Sequence, residues 1–570
     1  MRVSIRRGLA GIACGLAAGT LLAGAFGNVL LGIAVGAALG FVYALALPRV
    51  TSGPGAAADR AMTAAAFGLA MWGAINVILL PLLAGNAPQW TAEGMRALFP
   101  ALVGWLLFGF GLGLVTTAAV WLMEEFFGPA PPALENKIPE IKTRVLILGG
   151  GFAGVTCALN LERELRHDPT VAISLVSETN ALLFTPMLAE VAASSLEPTH
   201  ISTPLRSSFR RTAVIRAQVT GVDFKKRRVC LSDREETLPY DHLVLALGGV
   251  SNKPSGDGVS DQALEFKTLG DAICIRNHVI DSFDRADAEH DEAKRRALLT
   301  FVIAGGGFSG AELAGALNDF ARGMLADYPD LSADELRIIL VHSRNRILPE
   351  LSESLAKYAL ERMQARGVTP ELNARVSSAR PGIVVVERKD ADGSEFEIAT
   401  ETLVWTAGAT PNPLLKKLAI DCDKRGAVLV ENTLAARGQT NVWALGDCAV
   451  VPNAKTGQPC PPTAQFAIRE ARTLARNLRA SIAGRELTPF HFDALGTLCV
   501  VGHHTACAEI KGYKFSGFFA WFLWRTVYLS KLPGFERKVR VVSDWTIELF
   551  FPRDIVQTIE FHAPSRESTA

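Results

Sequence analysis

The hydrophobic positions of this chain follow two regimes. Residues 8–47 are almost wholly apolar, too long a stretch for one crossing of a bilayer. Gly27 and Asn28 divide it into two segments near the ~20 residues a spanning helix needs. Two further apolar segments follow, from about Met62 to Leu83 and from about Ala101 to Met123. Four in series differ from the single short apolar region of a cleaved signal peptide. The pattern predicts a module of four transmembrane helices over residues 1–127. Gly11, Gly15 and Gly19 recur every four residues, as do Gly32, Gly36 and Gly40, a spacing that lets membrane helices approach closely. No acidic or basic residue interrupts the apolar cores, so an ion path is unsupported. Arg2, Arg6 and Arg7 precede the first span, and Arg49 and Arg60 flank the second connection. Both sets belong on the cytoplasmic side. This predicts a multi-pass protein of the cell membrane whose remaining chain lies on the cytoplasmic side.

After a Pro-rich linker, residues 128–142, the pattern changes to strands alternating with helices. RVLIL, Arg144 to Leu148, reads as a buried strand. It leads into Gly149, Gly151 and Gly154 in GxGxxG spacing, with Phe152 and Ala153 inside the loop and a helical pattern directly after. The first glycine permits the tight turn, the second lets a pyrophosphate approach the backbone, and the third lets helix and strand pack closely. The helix N-terminus then faces phosphate charge. VAISLVSE reads as the next strand. Its end offers Glu178, or Ser177 if the register slips by one residue, to the ribose hydroxyls. A second copy follows strand LLTFVIA, with Gly305, Gly307 and Gly310 and the loop residues Phe308 and Ser309. Two full copies are far more specific than one. The second copy departs from rule at its next strand, LRIILVHS, where His342 stands in place of the ribose acid. Arg344 lies nearby, and an arginine accommodates a 2′-phosphate. NADH is favoured there, with NADPH left open.

Length and composition add limits. The 570 residues suggest several domains. The 58 basic and 57 acidic residues give no basic excess that would point to nucleic acid. The nine cysteines include no CxxC, which excludes a zinc framework, and no metal site is expected.

Beyond the glycine motifs, five segments resemble the two-dinucleotide flavoprotein superfamily, and within it the type II NADH:quinone oxidoreductases. The resemblance covers about Lys142 to Gln557. LLFTPMLAEVA resembles the segment beside the flavin, which implies contacts from Thr185 and Pro186. No cysteine lies between Cys157 and Cys230, which argues against the disulfide-reductase branch. TLPYDHLVLALGG and TLVWTAG resemble return strands that bring Gly248 and Gly408 near the two nucleotides, and Val219 joins the expected flavin contacts. NVWALGDCA implies that Gly446 allows close approach and that Asp447 hydrogen-bonds the ribityl chain. PPTAQFAIREA implies a quinone-side role for Gln465, with Phe466 beside the flavin. Where the family often has a second glutamine, this chain has Arg469. Glu312 maps to the family's glutamate beside the nicotinamide. In the first turn of its helix, a carboxylate also suits the helix dipole.

Residues 513–554 cluster aromatic and basic side chains on segments too short to span, which fits a surface lying in the membrane interface. A buried aromatic core or a dimer contact is the competing reading. His503 and His504 are read as surface residues. The expected architecture is α/β. An FAD domain (143–262 and 404–480) is split by a nicotinamide domain (263–403), and a membrane-associated region (481–570) follows. The resemblance implies NADH oxidation through FAD, with a membrane quinone and lipid as partners. No proton-pumping relay is visible. Two alternative readings stand beside this one. A sulfide:quinone oxidoreductase-like enzyme would need a cysteine pair at the flavin, for which Cys448 and Cys460 are the candidates. A membrane-anchored redox sensor would bind nucleotide but turn over slowly.

Overall fold

The computed structural model describes residues 3–22, 29–46, 56–88, 92–127, 140–252, 256–389 and 393–557. The chain divides into two compact units, Met1–Ile138 and Pro139–Ala570.

In the first unit, helices Val3–Gly19 and Val29–Ala46 pack along the two glycine series. A Cβ on Gly15 would sit 2.1 Å from the Gly36 carbonyl oxygen, and one on Gly40 2.2 Å from that of Gly11. Neither backbone can yield at those distances, so the expected close approach is present. Helix Ala56–Trp72 continues through a π-helical segment, Gly73–Leu79, and packs on Phe99–Phe127. There the Trp105 indole donates to Asn76 Oδ1 at 2.7 Å, giving a buried polar pair its partner. The expectation of four spans is met only in part. Among the described residues, Ala61–Leu83 and Phe99–Ala119 are long and apolar enough to cross a membrane, whereas Gly11–Leu22 and Val29–Tyr43 are shorter. The sequence reading divided the first apolar stretch at Gly27 and Asn28, and the described helices on either side of that division are each shorter than the expected span. Gly27, Asn28 and most of the 128–142 linker lie outside the described residues.

The second unit contains the same parallel sheet twice. The first sheet runs in the order Val442–Ala444, His242–Leu245, Thr143–Leu148, Val171–Ser177, Ala213–Arg216. The second runs Ala263–Glu265, Thr402–Trp405, Thr300–Ala304, Arg337–Val341, Val368–Glu371. All neighbours in both are parallel. The central strands are continuous apolar runs because helices cover both faces. Each sheet also carries a three-stranded antiparallel ribbon, within residues 219–239 and 374–399. The strand just before Gly446, Val442–Ala444, returns to the first sheet, so the second sheet is an insertion. Thr402–Trp405 crosses the expected boundary at residue 403, and the whole strand belongs to the second sheet. Segments Gly249–Ser251 and Ala409–Pro411, which leave and re-enter the first domain, pair antiparallel.

The C-terminal part adds the sheet Gly496–Ser516 and helices Gly517–Lys531 and Phe535–Ile547. Its aromatic cluster divides. Trp521 and Trp524 are buried in the core, while Ile547, Leu549, Phe550 and Phe551 are exposed. His503 and His504 are not simple surface residues. Their rings lie 3.6 Å apart, tilted to one another, His504 meets the Trp521 ring edge-on at 4.7 Å, and burial pulls the His504 pKa down to about 4.

Candidate functional site

The two glycine loops have matching geometry. Gly149 and Gly305 hold φ of +117° and +121°, in the region that disfavours a side chain. A Cβ on Gly154 would lie 1.9 Å from the Gly149 carbonyl oxygen, and one on Gly310 1.7 Å from that of Gly305. Those third glycines let helix and loop touch. At Gly151 and Gly307, by contrast, a Cβ would meet nothing within 4 Å. The helices they cap, Phe152–Glu164 and Phe308–Met324, have no side chain on their first N–H groups. An open approach beside uncapped helical donors is what a pyrophosphate requires. The residues therefore fit a dinucleotide at both loops.

In front of the first loop lies a cavity of about 990 Å³. It is lined by Gly149, Gly151, Phe152 and Ala153, and at the adjacent strand end by Ser177 and Glu178. Ser177 is buried behind the loop, its Oγ 2.3 Å from a Cβ placed on Gly150. Glu178, by contrast, is exposed and lines the cavity. Thr185, Val219, Gly248, Gly446 and Asp447 line the same cavity. Gly248 and Gly446 have φ of +64° and +70°. Pro186 opens the short helix Thr185–Met187. Burial raises the Asp447 pKa, with Lys267 opposing the shift. The second nucleotide helix reaches this cavity too, through Ser309 and Glu312. Glu312 is half-buried at the cavity wall, and desolvation pushes its carboxyl up to about 8. The Val500 N–H donates to it at 3.4 Å, and the Trp524 indole favours its charged form, but neither offsets burial.

Other expected site residues stand apart from the cavity. The Gln465 amide is engaged locally: its Oε1 accepts from the Leu495 N–H at 2.7 Å and its Nε2 donates to the Gly496 carbonyl at 3.1 Å. It ties helix Ala464–Ile482 to the C-terminal sheet. Phe466 is buried edge-on against Phe492, and the Arg469 guanidinium lies 5.3 Å over that same ring. Phe308 packs against the core, and Gly408 turns with φ +81° beside Asn252. His342 accepts the Gly306 N–H at Nδ1, 3.0 Å away.

Sequence reasoning missed two groups. Lys267 lines the same cavity as Asp447 and interacts with its charge, and burial lowers its pKa. No motif marks it; the only signal is the capping box Thr268/Asp271 that starts the next helix. Buried Glu470 accepts the Gly446 N–H at 2.7 Å and so holds the Asp447 turn. The cysteines do not support a sulfide site. Cys448 is fully buried, and its thiol faces the Leu245 and Leu445 carbonyls. Burial pushes the Cys448 and Cys460 thiols each up to about 12, far from the thiolate such chemistry needs. No described cysteine lines the cavity, and none is in a disulfide.

Comparison with known proteins agrees with this geometry. Residues 143–471 match the family described as pyridine nucleotide-disulphide oxidoreductase, and residues 495–554 match the NDH2 C-terminal domain. The chain is similar to the type II NADH:quinone oxidoreductase NdhA of Mycobacterium tuberculosis, 31% identical over 71% of this chain and 86% of that protein. It is similar, also at 31%, to the demethylphylloquinone reductase NdbB of Synechocystis, over 71% and 96% of the two chains. Among solved structures, NDH2 of Plasmodium falciparum in complex with NADH superposes with a TM-score of 0.69 at 19% identity, covering 73% of this chain and all of that one. The duplicated parallel sheets, the converging glycine loops and these matches together place the chain in the pyridine nucleotide-disulphide oxidoreductase family, among the type II NADH:quinone oxidoreductases.

Proposed function

We propose that the chain is a membrane-bound, FAD-dependent oxidoreductase that passes electrons from NADH to a membrane quinone without pumping protons. The observation that carries this reading is a single cavity lined both by the first glycine loop and by Glu312 and Ser309 of the second nucleotide helix. Bound there, FAD would supply a ring system that accepts a hydride from NADH and passes two electrons on to quinone. The remaining work falls to the chain's own residues. The Gly151 and Gly307 loops hold the two pyrophosphates, and Glu178 accepts from the ribose of the first. Asp447 and Lys267, both on the cavity wall, orient the flavin. Glu312, with its pKa near 8, is mostly protonated at neutral pH, and so holds a proton at the nicotinamide end of the cavity. Gln465 positions the helix behind the flavin, and Arg469 lies one turn further along, on the quinone side.

Two features support the membrane assignment. The first unit has two helices long enough to span, and neither Ala61–Leu83 nor Phe99–Ala119 contains a charged residue that could relay protons. The exposed Ile547, Leu549, Phe550 and Phe551 suit the lipid interface. The reading extends to four crossings, with the catalytic unit on the cytoplasmic side. Steady-state turnover tests the reading: NADH oxidation by protein purified with FAD rises steeply when a soluble quinone is added. Rates unchanged by quinone overturn it.

A further inference from the structure

At the end of the second nucleotide sheet, no acid stands where an unphosphorylated ribose would be bound. His342 directly follows strand Arg337–Val341 and is turned inward. Its Nδ1 accepts the Gly306 N–H, and a Cβ on Gly306 would come within 2.7 Å of the imidazole. An accepting nitrogen carries no proton. Burial, reinforced by Arg344 and Lys389, also holds the ring below its usual pKa. His342 is therefore a neutral prop under the glycine loop.

The backbone gathers positive charge around it. The His342 N–H donates to the Glu371 carbonyl at 2.8 Å, and the Ala374 N–H to the His342 carbonyl at 2.9 Å. The Asn373 N–H donates to the Arg344 carbonyl at 3.0 Å, and the Lys389 N–H to the Asn373 carbonyl at 2.7 Å. The carboxylate at the adjacent strand end, Glu371, is taken by Arg388 at 3.2 Å. Arg344 is exposed, and no carboxylate of the described residues pairs with it. Asp390 and Asp392 follow Lys389 outside the described residues, so the contact is assigned to Arg344 rather than to the lysine. A neutral ring that seals the loop, with a guanidinium beside it that no carboxylate among the described residues pairs, suits a ribose bearing a 2′-phosphate.

We propose that the second nucleotide site accepts NADPH, with Arg344 contacting the 2′-phosphate. This rests on the nicotinamide reading above. The overall reaction balances as it does for NADH: NADPH loses a hydride to become NADP+. That hydride and one solvent proton end on the quinone as hydroquinone.

The test measures anaerobic flavin bleaching by NADPH and by NADH, in the intact wild type and in R344Q. The expected result is an NADPH efficiency within tenfold of that for NADH. The NADPH-to-NADH ratio then falls about tenfold in R344Q, the size of one lost charge-assisted phosphate contact. NADPH more than tenfold poorer while NADH reduces the flavin, or a ratio that changes less than about threefold in R344Q, overturns the inference and leaves the NADH reading standing. If neither nucleotide bleaches the flavin, the nicotinamide reading fails. Calorimetry with adenosine 2′,5′-bisphosphate against 5′-AMP then decides the phosphate site by itself. Tighter binding of the bisphosphate, lost in R344Q, supports it; equal binding overturns it.

Discussion

Replacing Gly307 and Gly310 separately with alanine distinguishes the ligand role of the second glycine loop from its folding role. At Gly310 the added Cβ would fall 1.7 Å from the Gly305 carbonyl oxygen and 2.6 Å from Thr406 Oγ1. Backbone oxygen cannot move aside without shifting the loop or the helix. Overpacking of that kind costs about 3 kcal/mol or more. At Gly307 the Cβ meets nothing within 4 Å, and the residue's φ of −78° suits alanine. The ligand-free protein therefore keeps its stability or gains about 0.4–1 kcal/mol through a less flexible unfolded chain. The open space at Gly307 is, however, where the pyrophosphate must approach. Displacing it from one uncapped N–H loses about 1.5–3 kcal/mol, or roughly 10–100-fold in nucleotide affinity. The assay pairs thermal unfolding without nucleotide with NADH titration under steady turnover. G310A should lower Tm by several degrees. G307A should leave Tm unchanged and raise the KM for NADH. Equal loss of Tm in both variants, or an unchanged KM in G307A, would refute the assignment of separate roles.

Three further predictions follow from the geometry. Glu312 is raised from an ordinary 4.5 to about 8, so the fold binds its proton more tightly than the unfolded chain and loses stability as pH rises across that window. E312Q removes the loss: relative to wild type it becomes more stable towards pH 8 in pH-dependent unfolding, and kcat loses its alkaline decline near 8. Arg525 reaches Glu548 at 3.2 Å and Glu190 at 3.7 Å, and lies over Trp521 and Trp545. R525Q leaves Glu190 without its ion-pair partner while Arg553 still holds Glu548, costs about 3 kcal/mol and loosens the C-terminal helices, read as faster hydrogen exchange in Gly517–Ile547. In the first unit, G36V places side-chain atoms where Gly15 and Gly19 touch it, and lowers the melting temperature of the detergent-solubilised protein.

Most of the second unit was legible because its determinants are local. Each glycine loop needs a strand before it and a helix after it, and that pattern alone predicts the two parallel sheets. The strand ends at Ser177 and Val341 also fell where the apolar runs stop. Features that depend on long-range packing could not be read. Lys267 enters the flavin cavity only because the inserted domain leaves the first sheet there. Gln465 looked like a ligand contact, yet its amide is spent on Leu495 and Gly496, residues that no local pattern brings to it. The C-terminal aromatics form one run in the sequence, but the turn between helices sends Trp521 and Trp524 inward and leaves Phe550 and Phe551 outside. In the first unit, apolar composition marked the helices without fixing where each one breaks.

The central claim is that one cavity joins a nicotinamide site to a flavin that reduces quinone. Anaerobic stopped-flow mixing of the FAD-loaded protein tests it most directly. The account predicts that NADH bleaches the flavin absorbance within the turnover time, and that a second push of quinone restores it. Flavin that stays oxidised with saturating NADH, or stays reduced after quinone, would contradict it.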